Sequence, residues 1–428
     1  MPKSESNNLQ VILRMRPLLG KELKLNKRNV IEIIDQNTII FDPIHNEFCS
    51  KEERFAGFAR KDLRLSFDRV FGKEATNVDI FHYSLRPLIS SVLKGYNCCV
   101  FVYGVTGAGK TYTMLGSDTK RGVVYLAMEE LFRQIETQRS HQSIDVGISY
   151  VEVYNEQVIN LLTKDGPLKL REDSNGVIID GVIPQRIQNC DEMVTLLCIG
   201  NHNRSQHPTD ANYKSSRSHA ICQVHLASTN KASGLRRVVK LSMIDLAGSE
   251  RGSSSSYEEL RFKEGTSINK SLLALGNCIK KLAEGSKHIP YRDSNMTRIL
   301  KDSLSGNCKT VMIANVSPAE RSYSETYNTL LYATRATQIR KNALSKTELK
   351  TSFPKEYYVR NLVAKISETE ELRDQIKILE NQVKSQAKVI ENFEKAQNGL
   401  VKLIKKIETL KHKIDKSYHD LVSSRQRK

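Results

Sequence analysis

The run Gly104-Val105-Thr106-Gly107-Ala108-Gly109-Lys110-Thr111 follows directly on the apolar segment Cys98-Cys99-Val100-Phe101-Val102-Tyr103. A glycine-rich turn between an apolar strand and a helix that opens on Lys-Thr is a phosphate cradle. Its glycines let backbone N–H groups close on phosphate oxygens. Lys110 then reaches the β- and γ-phosphates, and the Thr111 hydroxyl is placed to ligate Mg²⁺. A loop of this kind works only at the end of a strand in a layered α/β domain, so it constrains the fold before any other feature is read.

The surrounding sequence fits that constraint. VILRM, CCVFVYG, ISYVEVY, ICQVHLA, VVKLSMIDLAG and VMIANVS read as strands rich in Val, Ile and aromatic residues. FHYSLRPLISSVLKG and SLLALGNCIKKLAEG read as helices between them. The alternation predicts a central mixed sheet covered on both faces. Phe41 to Leu63 is polar, charged and aperiodic, and reads as a long surface loop.

Past Lys341 the pattern changes. Residues 341–354 read as a linker, closed by Pro354, and 355–428 turn Lys/Glu/Gln-rich with a repeat of seven. Ile376, Val383, Ile390, Gln397 and Ile404 take successive a positions in one register. Leu379, Gln386, Phe393, Leu400, Ile407, Ile414 and Leu421 take d. Such heptads predict a two-stranded coiled coil, hence a homodimer. The alternative is one helix folded back on the globular part.

Two further elements suit a phosphate site. VVKLSMIDLAGSE is an apolar strand ending in Asp245, where a carboxylate holds magnesium beside a phosphate loop, and Gly248 follows at the distance of a γ-phosphate contact. Asn212-Tyr213-Lys214-Ser215-Ser216-Arg217-Ser218-His219 packs hydroxyls and an arginine into one loop, able to orient water or complete a magnesium shell.

The formal charge of +18 asks for an acidic partner: nucleic acid, an anionic membrane or an acidic protein polymer. No aromatic-interleaved basic motif, zinc-finger spacing or basic amphipathic anchor supports the first two. No apolar run approaches the roughly 20 residues of a membrane span, and MPKSESNNLQ lacks the apolar core of a signal peptide, so a soluble intracellular protein is expected. The eight cysteines have no metal-ligand spacing and read as reduced residues.

Taken in order, these motifs resemble the kinesin superfamily over about Leu9 to Arg340. GVTGAGKT is similar to its phosphate loop, NYKSSRSH to switch I and DLAGSE to switch II. Arg14-Met15-Arg16-Pro17 is similar to the element lining the adenine pocket, and Tyr112 sits where a ring could stack on adenine. The resemblance implies a kinesin motor fold, a P-loop nucleotide hydrolase, over 1–340, followed by a neck linker and a neck coil. It implies ATP with Mg²⁺ held by Thr111, Ser216 and Asp245, with Ser215 and Ser216 closing on the γ-phosphate and Gly248 sensing it. Arg217 and Glu250 would pair to close the switches and position water.

INKSLLALG (Ile268–Gly276) and IPYRDSNMTRILKDSL (Ile289–Leu304) resemble the helix–loop–helix that sits on tubulin. Lys270, Lys280, Lys281, Lys287, Arg292 and Arg298 are its candidate microtubule contacts. Asn295 stands where the family has lysine, a loss that Lys301 could offset. GYNCCVFVYGVTGAGKTYTMLGS and DSLSGNCKTVMIANVSP are similar to the kinesin-8 class, whose enlarged second loop matches Phe41 to Leu63. The reading is therefore a plus-end-directed motor that also regulates microtubule length, in the cytoskeleton at the mitotic spindle. The competing readings are a non-motile microtubule cross-linker and an unrelated GTPase. The complete set Lys110, Thr111, Ser216, Arg217, Asp245, Gly248 and Glu250 argues against the first, and the missing NKxD element argues against the second.

Overall fold

The computed structural model describes residues 8–24, 28–43, 62–117, 119–173, 176–205, 217–250, 259–339 and 355–425. Two compact units divide the chain, Met1–Ser352 and Phe353–Lys428.

The first unit is built on a nine-stranded sheet. Numbered along the chain, its strands are β1 (Leu9–Met15), β2 (Arg69–Phe71), β3 (Asn97–Tyr103), β4 (Gln142–Tyr154) and β5 (Gln157–Asn160). β6 (Gln185–Ile187), β7 (His219–Asn230), β8 (Arg236–Asp245) and β9 (Cys308–Val316) complete it. The order is β5-β4-β7-β8-β3-β9-β1-β2, with β6 on β4. β8, β3, β9, β1 and β2 run parallel, whereas β4, β5, β6 and β7 join antiparallel. Each of the six runs read as strands supplies a strand of this sheet, VVKLSMIDLAG only as far as Asp245.

All seven residues of β3 are buried, as a central parallel strand requires. Its alternation divides the core. Cys98, Val100 and Val102 face one layer, with helices α1 (Arg86–Leu93), α3 (Val123–Gln138) and α4 (Cys190–Ser205). α2 (Lys110–Met114) follows the phosphate loop. Cys99, Phe101 and Tyr103 face the other layer, with α5 (Glu259–Ala283), α6 (Asn295–Leu304) and α7 (Tyr323–Thr337). There the Tyr103 and Tyr332 rings stack with centroids 4.1 Å apart.

Register brings the motifs together. Asp245, last in β8, is paired with Val102 of β3, and Ala220 of β7 lies opposite Asp245. The phosphate loop, the DLAGSE turn and the end of the NYKSSRSH segment thus leave the sheet at one end, the place where ligands bind in open α/β sheets.

A small three-stranded sheet, Ile31–Ile33, Thr38–Phe41 and Leu63–Ser66, pairs Phe41 with Leu63. The ends of the expected surface loop are therefore a closed hairpin stem; 44–61 lie outside the described residues. So does the whole of the expected linker, 341–354.

The second unit is a 71-residue helix, α8 (Lys355–Arg425), with a span of roughly 105 Å at 1.5 Å per residue. Its a and d residues Ile376, Leu379, Val383, Ile390, Phe393, Leu400, Ile404, Ile407 and Ile414 are each at least half exposed. Among the described residues no helix is long and apolar enough to cross a membrane.

Candidate functional site

The phosphate loop is held open by its backbone. Gly104, Gly107 and Gly109 have φ of +149°, +81° and +95°, values a residue with a Cβ rarely adopts. A Cβ on Gly104 would also collide with the backbone oxygen of Asn315. The turn Val105-Thr106-Gly107-Ala108 closes through Ala108 N–H on Val105 O at 3.1 Å.

Behind it lies a buried polar network. Asn315 Nδ2 donates to Thr113 Oγ1 (2.8 Å), and Arg14 Nη1 donates to the same oxygen and to Asn77 Oδ1, both at 2.7 Å. Thr113 in turn donates to Gly109 O at 2.8 Å. Burial lowers the Arg14 pKa to about 10, which leaves it charged at neutral pH. Arg14 lies 5.3 Å from the centroid of the Tyr112 ring, itself an exposed side chain. Arg16 Nε reaches Gly107 O at 2.8 Å, while its guanidinium grips Glu22 at 2.7 and 2.8 Å and its Nη1 reaches Pro17 O. The RMRP arginines thus brace the phosphate loop and Tyr112.

The reactive end is compact. Lys110 is buried, and its ammonium donates to Gly104 O (2.9 Å) and Val105 O (3.1 Å). Burial pulls its pKa down, opposed by Asp245 and Glu250. Thr111 Oγ1 donates to Asp245 Oδ2 at 2.9 Å. Asp245 Oδ1 is buried without a hydrogen-bond partner. That orphaned carboxylate oxygen beside a hydroxyl is a donor set suited to a hard cation such as Mg²⁺.

The DLAGSE turn is tethered at several points. Ala247 N–H donates to His219 Nδ1 (3.1 Å), and Ser249 N–H to Gly104 O (3.1 Å). Glu250 accepts from Thr106 N–H (2.9 Å) and Thr106 Oγ1 (2.5 Å). A Cβ at Gly248 would fall on the Glu250 carboxylate and Thr106 Oγ1, so any larger residue must displace those side chains from the cradle. Glu250, expected opposite Arg217, is here held by Thr106. Arg217 is partly buried at the start of the described stretch, and Ser215 and Ser216 lie outside the described residues.

Sequence reasoning missed Arg204, the buried hub of the site. It donates to Asp245 Oδ2 at 3.3 Å, to Ser218 Oγ at 3.1 Å and to Ser218 O at 2.9 Å, with Glu152 3.8 Å away. It also missed His219, whose ring joins Ala247 to Ser271 and whose pKa burial, Arg204 and Lys110 push down to about 3. His219 is therefore neutral at physiological pH. The signal for it was its place in the SSRSH run; for Arg204 and Asn315 there was none short of the fold.

The cationic candidates divide. Lys270, Lys280, Lys281, Lys287 and Arg292 are exposed, and Lys280 and Lys281 lie 4.0 and 3.0 Å from Glu284. Arg298 is partly buried and donates to Leu170 O at 3.0 Å. Asn295 acts as a positioning residue, since its backbone N–H meets Glu156 Oε2 and its Nδ2 meets Glu156 O, both at 2.7 Å. Ser294 Oγ donates to the same carboxylate at 2.7 Å, which ties the β4–β5 turn to the start of α6. Lys301 is paired with Glu172 at 2.5 Å.

A P-loop nucleotide-binding domain, with the DLAGSE turn and the start of β7 gathered beside the loop, is what this end of the sheet defines. The Kinesin motor domain family model matches residues 14–339. Kinesin-like protein KIF18B of Gallus gallus is 46% identical over 349 residues, covering 79% of this chain and 44% of its own length. Kinesin-like protein KIF18A of Mus musculus is 44% identical over 389 residues, covering 88% and 44%. Kinesin-like protein KIN-8A of Oryza sativa subsp. japonica is 44% identical over 342 residues, covering 79% and 43%. A solved structure described as that of a fast kinesin superposes with a TM-score of 0.71 at 35% identity, over 82% of this chain and 99% of that one. The chain belongs to the kinesin motor-domain family, and the relatives named above belong to the kinesin-8 class. It spans less than half the length of these curated relatives.

Proposed function

We propose that this chain is an ATP-driven, plus-end-directed microtubule motor that also limits microtubule length, working on the mitotic spindle. The convergence of Lys110, Thr111, Asp245, Gly248 and Glu250 on one loop carries the reading. Thr111, Ser216 and Asp245 would hold Mg²⁺, and the orphaned Asp245 Oδ1 supports that assignment. When bound, the ion neutralises charge on the β- and γ-phosphates. Lys110 is placed to follow the γ-phosphate, the Gly248 cradle to admit it, and Glu250 to orient water once Arg217 takes it from Thr106. Positioning and charge stabilisation supply most of the rate in such a transfer.

Lys270, Lys280, Lys281, Lys287 and Arg292 form the tubulin-facing set, with Arg298 contributing from its partly buried position. The half-exposed apolar seam of α8 supports a homodimer through a coiled coil. Length control rests on likeness to the kinesin-8 class and on the long 41–63 segment. Replacing 44–61 with a short linker is expected to spare gliding of microtubules over a coated surface and to reduce shortening at their ends. Unaltered shortening would remove that segment from the account.

A further inference from the structure

His219 bonds through both ring nitrogens, and its partners belong to two different parts of the molecule. Nδ1 accepts from Ala247 N–H at 3.1 Å, so in the neutral ring the proton sits on Nε2, which lies 2.8 Å from Ser271 Oγ. Ala247 immediately precedes Gly248 of the phosphate cradle. Ser271 belongs to α5, next to the exposed Lys270. His219, Ala247 and Ser271 are 2%, 0% and 3% exposed, so solvent does not compete for these bonds. A displacement at Gly248 must therefore either carry the His219 ring and Ser271 with it or break a buried bond, since close-packed interiors switch rather than deform.

We propose that Ala247, His219 and Ser271 form a positioning relay from the γ-phosphate cradle to the cationic face of α5, setting how strongly track binding accelerates turnover. The inference rests on the motor reading above. A merely structural histidine would satisfy the same groups, but its loss would weaken folding and leave the coupling between the two sites intact.

The test is ATP turnover of the full chain with and without microtubules, for the unaltered protein, S271A, S271T, H219N and S271A/H219N. Asparagine can accept from Ala247 in place of Nδ1 but is too short to reach Ser271. S271A and H219N should each lower the ratio of stimulated to unstimulated rate about fivefold, the weight of one buried hydrogen bond. S271T, which keeps the hydroxyl, should retain the ratio. The double variant should fall no further than either single one, because both remove the same bond. A ratio unchanged in S271A, or losses that multiply in the double variant, overturns the relay alone. No stimulation of the unaltered chain overturns the motor reading and the relay with it.

Discussion

The nucleotide end of the sheet and the cationic face of α5 and α6 are both dense in charge, yet they hold it in opposite ways. At the nucleotide end Lys110, Arg204 and Asp245 are buried and bonded to named partners within 3.3 Å. On the cationic face Lys270, Lys280, Lys281, Lys287 and Arg292 are exposed, and the ion pairs of Lys280 and Lys281 are local ones with Glu284. A buried charge depends on its partner, because solvent cannot replace it. An exposed one is replaceable and acts through the summed field. On the proposed function, activity at the first region therefore concentrates in single residues, and at the second it is spread over many.

That contrast orders the expected effects. Lys110→Ala should reduce ATP turnover about a thousandfold in a steady-state assay while the fold survives, since the role proposed for its charge is to offset developing phosphate charge. Residual turnover within about tenfold would mean the region is less concentrated than its geometry implies. Arg204→Met removes the buried cation that donates to Asp245 and lies 3.8 Å from Glu152, and should destabilise the domain by about 3–5 kcal/mol in denaturant titration. A loss below about 1 kcal/mol would place Arg204 with the replaceable charges.

Glu22 gives a pH test of the same idea. Hydrogen bonds from Arg16 foremost, then the Leu19 N–H and the charge of Arg321, hold its carboxyl down to about 2 against the burial that would raise it. A pKa depressed on folding contributes stability above the unfolded value of 4.5, lost as pH falls toward about 2. Glu22→Gln should flatten the loss of thermal stability between those limits. At the small end, Lys280→Ala should weaken microtubule binding only about twofold, an effect that added salt erases. A loss of about tenfold would make Lys280 a concentrated site after all.

How legible each region was follows from the same physics. Six strands and the phosphate loop declared themselves through local runs of apolar residues and glycines. The partners of Asp245 and Thr113 did not: Arg204 lies 41 residues from Asp245, and Asn315 lies 202 from Thr113. Only the strand order brings them together. Glu156 likewise explains Asn295, which by sequence was simply a missing lysine. Lys301, the candidate to offset that loss, is already paired with Glu172. Exposed lysines were easy to name but carry little information singly, because nothing local separates a track contact from ordinary surface charge.

The most direct measurement is ATP turnover by the full chain as polymerised microtubules are added. The expected result is a rise of at least about tenfold that saturates with polymer and weakens with salt, as a spread cationic face requires. A rate that polymer leaves unchanged would contradict it, leaving a nucleotide hydrolase whose basic surface serves some other partner.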